Sequence, residues 1–159
     1  MTFGWKDRLV LAPMELTGVL RVALSVLSIL ALLHVVQYRA LSWHIIVDFM
    51  PFLAAILAGG VVVPLLLPWL PTRVFAVKGA VAGGLCVAGT LLLFPGGAVE
   101  VAGAALLGTA LATYMGMVFT GATTFTNLPG ARLEIRWALP VVIGAAALGA
   151  ILRVAAAFV

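Results

Sequence analysis

The sequence predicts an all-α integral membrane protein, a bundle of five transmembrane helices, on three observations. Hydrophobic residues make up 65% of the chain and charged residues 9%, where a soluble domain carries about 25% charged residues. So few charges cannot coat a water-facing surface. The mean hydropathy is +1.28, and the shortage of charge runs along most of the chain, so this is not one anchor attached to a globular head. Finally, the apolar residues fall into five runs of about 20 residues, the length a helix needs to cross hydrocarbon. Lipid offers backbone groups no partner, so each run must bond to itself as a helix.

The first run covers residues 17–37, with Arg21 near its start, where it can snorkel, and His34 near its far end. The second covers 46–70 and carries Gly59, Gly60 and Pro64 mid-span. Pro64 lacks an N–H and clashes with the preceding turn, so a kink or local opening is expected there. The third, 76–94, places Lys78 at its entry interface, and its Gly79-x-x-x-Gly83 spacing permits close helix contact. Pro95-Gly96-Gly97 then makes a tight turn. The fourth, 98–119, has Glu100 near its start and Gly103, Gly108 and Gly116 along it. The fifth, 138–158, has Pro140 in its first turn, where a missing N–H is tolerated, and Arg153 one to two turns before its end. The whole chain is one membrane domain without an internal repeat. No cleavable signal peptide is expected, because the first sixteen residues hold Lys6, Asp7, Arg8 and Glu15 and no small-x-small cleavage pattern follows.

Basic residues favour the cytoplasmic side of short loops. Five alternating spans collect Lys6, Arg8, Arg21, Arg73, Lys78, Arg132 and Arg136 on one side, against Arg39 and Arg153 on the other. This places the N-terminus in the cytoplasm, the C-terminus outside, and the protein in a prokaryotic cytoplasmic membrane as a multi-pass chain. The four tryptophans, Trp5, Trp43, Trp69 and Trp137, all fall near proposed interfaces, as an aromatic belt requires. The net charge of +4 then reads as topology signals and headgroup contacts, not as a nucleic-acid surface. Cys86 is the single cysteine, which leaves neither an intrachain disulfide nor a thiolate metal cluster. It reads as a small hydrophobe in an apolar run.

Two polar groups stand out. At the outer ends of the spans lie His34, His44, Asp48, Glu100 and Arg153. His44 and Asp48 are four apart and share a helical face. Arg153 either snorkels to the surface or pairs with Glu100 or Asp48 inside the bundle, which would fix helix positions. The same residues read alternatively as an ion or proton site, although no metal-ligand signature is present. The second group is the segment Thr120–Arg136, with Thr120, Thr123, Thr124, Thr126 and Asn127, a Pro129-Gly130 turn, and Arg132, Glu134 and Arg136. Its hydroxyls either satisfy their own backbone in an interfacial linker or, with Arg132 and Arg136 on one helical face, meet a soluble partner. The chain has no nucleophile–base spacing, close carboxylate pair or ligand cluster. An enzyme is therefore not expected, and neither a metal nor a cofactor of its own.

Met117–Pro140, MVFTGATTFTNLPGARLEIRWALP, resembles the segment before the last helix in the membrane domain of the mercury-methylation corrinoid protein family. That family is related to the corrinoid iron–sulfur protein of the acetyl-CoA pathway. Leu67–Gly84, LPWLPTRVFAVKGAVAGG, is similar to that domain's second-to-third helix junction. The most specific part is Phe119 to Thr126, followed by Leu128, Gly130, Glu134 and Arg136. The family joins a corrinoid-binding domain to a five-helix membrane domain. This chain carries neither that domain nor its cap-helix cysteine motif, and Cys86 lies in another context. The resemblance therefore implies a stand-alone membrane module that holds a separately encoded soluble protein bearing a cobalt corrinoid or an iron–sulfur centre, with Thr120–Arg136 facing it. Apart from lipid, the expected partner is that protein or a second copy of the chain. The alternative is a small ion or metabolite transporter that uses the broken second helix and the outer His, Asp and Glu residues.

Overall fold

The computed structural model of the chain describes residues 20–21, 24–32, 34–35, 43–63, 74–118, 128–156 and 158, with backbone alone over 128–132. Every regular element among them is helical. Helix α1 is described at 20–21, 24–32 and 34–35. α2 runs His44–Leu57 and continues as a π-helical turn, Ala58–Val62. α3 is Phe75–Leu93, α4 Ala98–Val118 and α5 Leu128–Ala156. Four stretches, His44–Val62, Phe75–Leu93, Ala98–Val118 and Leu133–Ala156, are long and apolar enough to cross a membrane. Part of the first expected span lies outside the described residues.

α4 is the central helix. Half of its most apolar window is buried, against 17% for the corresponding window of α5. Glycines bring its neighbours to backbone contact. A Cβ on Gly79 would stand 2.8 Å from the Thr113 Cα, one on Gly116 would stand 3.1 Å from the Gly79 Cα, and one on Gly83 would overlap the Ala112 Cβ. On the α5 side, a Cβ on Gly149 would meet the Leu107 nitrogen at 2.8 Å, and one on Gly103 the Arg153 nitrogen at 3.0 Å. Close van der Waals packing of this kind holds the helices together. Small buried clusters complete the interior: Leu30, Phe52 and Ala104 join α1, α2 and α4, and Ala76, Ala110, Met117, Ala138 and Val142 join α3, α4 and α5. Large apolar side chains such as Leu85, Leu92, Val141 and Ile151 point outward, an exterior compatible with lipid contact.

The local breaks follow from glycine and proline. The π turn opens the backbone one residue before the segment that holds Pro64, which itself lies outside the described residues. Pro64 has no N–H to give to the Gly60 carbonyl, and a π turn is one way a helix absorbs such a defect. Gly59 in that turn is buried against α4, where a Cβ would meet the Ala112 carbonyl oxygen at 2.9 Å and the Met115 Cβ at 2.7 Å. Pro51 sits inside α2 and is buried. At the other end of the chain α5 begins at Leu128, earlier than the apolar run alone suggests. Ala131, Arg132, Leu133 and Glu134 are good helix formers, so they extend the helix back through the polar segment. Pro129 then occupies its first turn, where its missing N–H costs nothing. Pro140 falls in the interior with its ring exposed, and the Arg136 carbonyl loses its i+4 donor.

Candidate functional site

The alternation of helices gathers polar side chains at two ends of the bundle. One end is formed by the C-terminal part of α1, the first turns of α2, the start of α4 and the last turns of α5. There the His34 Nδ1 lies 3.2 Å from the Asp48 Oδ2. The Arg153 guanidinium donates to the Glu100 Oε1 at 2.8 Å, and its other terminal nitrogen lies 3.7 Å from the Asp48 Oδ1. One arginine thus bridges two carboxylates, and the network ties α1, α2, α4 and α5 together. The side chains are mostly withdrawn from solvent: His34 is 2% exposed, Arg153 11%, Asp48 18% and Glu100 36%. Of the two arrangements open to Arg153 in the sequence, the structure has the paired one. Unpaired charges at this depth are expensive, and each group here meets an opposite or hydrogen-bonding neighbour.

His44 lies beside this network, on the same face of α2 as Asp48. It is exposed and forms part of the wall of a cleft of about 140 Å³ that opens over the network. Asp48, Glu100 and Arg153 form the polar floor, and Pro51, Leu91 and Phe94 the apolar sides. Gly96 shapes its mouth, since a Cβ there would lie 2.9 Å from the Glu100 Oε2. Among the described residues, no three His, Cys, Asp or Glu side chains converge on a point where they could share a metal ion. In this cluster the guanidinium takes the place that a cation would occupy between the carboxylates.

The opposite end holds the second candidate group. Glu134, on α5, accepts a hydrogen bond from the Ala76 backbone N–H at 2.6 Å. α3 begins after Val74 without a side-chain cap of its own, so a carboxylate from the neighbouring helix satisfies one of its orphan donors and complements its dipole. Glu134 is thereby turned toward the bundle. Arg136, two residues on, is exposed. Arg132 is helical, and its side chain lies outside the described residues, as do Thr120, Thr123, Thr124, Thr126 and Asn127.

Lys78, expected at the entry interface, is 6% exposed, with its ammonium 5.4 Å from the centre of the Phe75 ring. Its neighbour Gly79, pressed against Thr113, brings that part of α3 so close to α4 that the lysine stem is enclosed. The only sequence signal for this burial is the glycine beside it. Comparison of the chain with known protein families, with curated proteins and with solved structures finds no match.

Proposed function

We propose that the chain is a multi-pass membrane protein, N-terminus cytoplasmic and C-terminus outside, that acts as a rigid docking module for a soluble partner at the cytoplasmic face. The observation that carries this reading is the length of α5. Its 29 residues extend about 44 Å at 1.5 Å per residue, while the hydrocarbon core is about 30 Å thick. The run from Trp137 to Ala156 suffices to span it. That leaves Leu128–Arg136, about 13 Å of helix, standing beyond the hydrocarbon with Arg136 exposed.

The same segment has Arg132 one turn before Arg136, so two cations share a face. Arginine presents a fork of donors suited to carboxylates, and the partner is accordingly a protein with an acidic patch. Glu134 anchors the projecting helix to α3, and the glycine contacts of α4 hold both helices in one body, so the docking face is presented on a stiff support. The resemblance of Met117–Pro140 to a membrane domain that accompanies a corrinoid protein makes a corrinoid-bearing methyl-transfer protein the first partner to seek; that step rests on analogy.

The test is purification from the native membrane in mild detergent, with identification of the co-purifying proteins and of any cobalt. The expected result is a stoichiometric soluble partner that is lost when Arg132→Glu and Arg136→Glu are combined. Full retention of that partner by the doubly reversed chain refutes the docking face.

A further inference from the structure

We draw no further inference here: the strongest candidate, the apolar groove that α3 and α5 leave open over α4 between Ala76, Ala80, Thr113, Trp137 and Val141, carries nothing because nothing in the structure shows what covers it.

Discussion

Replacing Arg153 by Met is the sharpest test of how the end of the bundle that holds Asp48 and Glu100 is tied together. The substitution keeps most of the side-chain volume and removes the one guanidinium that Glu100 and Asp48 share. Two carboxylates are then left facing each other, one of them also bonded to His34. Breaking a fully buried pair costs about 3–5 kcal/mol. Here Glu100 is 36% exposed and Asp48 18%, so solvent screens part of the repulsion, and a loss of about 2–3 kcal/mol is expected. For a chain of this size that corresponds to a fall in melting temperature of about 5–10 °C, read by thermal unfolding in detergent with intrinsic tryptophan fluorescence. The triple variant Arg153→Met, Asp48→Asn, Glu100→Gln is the control. It removes the stranded charges with the cation, and replacing a whole ion network by neutral groups is often close to neutral, so most of the loss is recovered. A single variant that melts within about 1 °C of the native chain, or a triple variant as unstable as the single, would refute the argument. The first result would mean that the carboxylates do not depend on Arg153 for compensation, the second that the loss comes from packing and hydrogen bonds and not from stranded charge.

Other changes test the packing and the far end. Gly79→Ala forces a methyl against the Thr113 backbone and costs about 1–3 kcal/mol, whereas Gly89→Ala points into open space and gains about 0.5–1 kcal/mol from the better helix former; paired melting curves show whether the two shifts have opposite signs. Glu134→Ala removes the acceptor for the Ala76 N–H and lowers stability by about 1 kcal/mol, with faster amide exchange in the first turn of α3, while Glu134→Gln retains most of the protection. Pro140→Ala restores a hydrogen bond inside α5 at an exposed position and raises the melting temperature, because proline in a helix interior costs about 3 kcal/mol relative to alanine.

The helices are largely legible because long apolar runs with so few charges leave a chain few options. Run length and charge scarcity alone place α2 to α5, and the spacing of Gly79 and Gly83 announces the face that meets α4. What the sequence left open is how helices that are distant along the chain meet. Glu100 and Arg153 are 53 positions apart, Ala76 and Glu134 58, and no local pattern says which acid meets which base. The sequence allowed Arg153 two fates, and only helix packing selects the pair. The start of α5 was obscured for a different reason. Pro129-Gly130 reads as a turn by local rules, yet proline is equally at home in a first helical turn, and the helix formers that follow decide the outcome. Lys78 shows the limit of snorkelling as a rule: the argument takes lipid to be the neighbour, and at that point of α3 the neighbour is α4.

The few acids of this chain follow one logic. Of its five, the three within the described residues all hold helices to one another: Asp48 and Glu100 through Arg153, and Glu134 through the first turn of α3. Acids spent on internal contacts no longer balance the basic residues at the surface, so the excess positive charge is displayed outward. At one end Arg153 is consumed by the network. At the other end Arg136 stays exposed on a helix of 29 residues. On the proposed reading, the charge asymmetry that would orient the chain and the basic face that would meet an acidic partner have one origin, the use of carboxylates as interhelical ties. If the proposed docking face is right, changing Glu134 to alanine loosens the start of α5 without altering its basic residues, and partner binding weakens less than it does when Arg132 and Arg136 are reversed. A partner lost equally in both cases would mean that the position of the helix, more than its charge, is what the partner recognises.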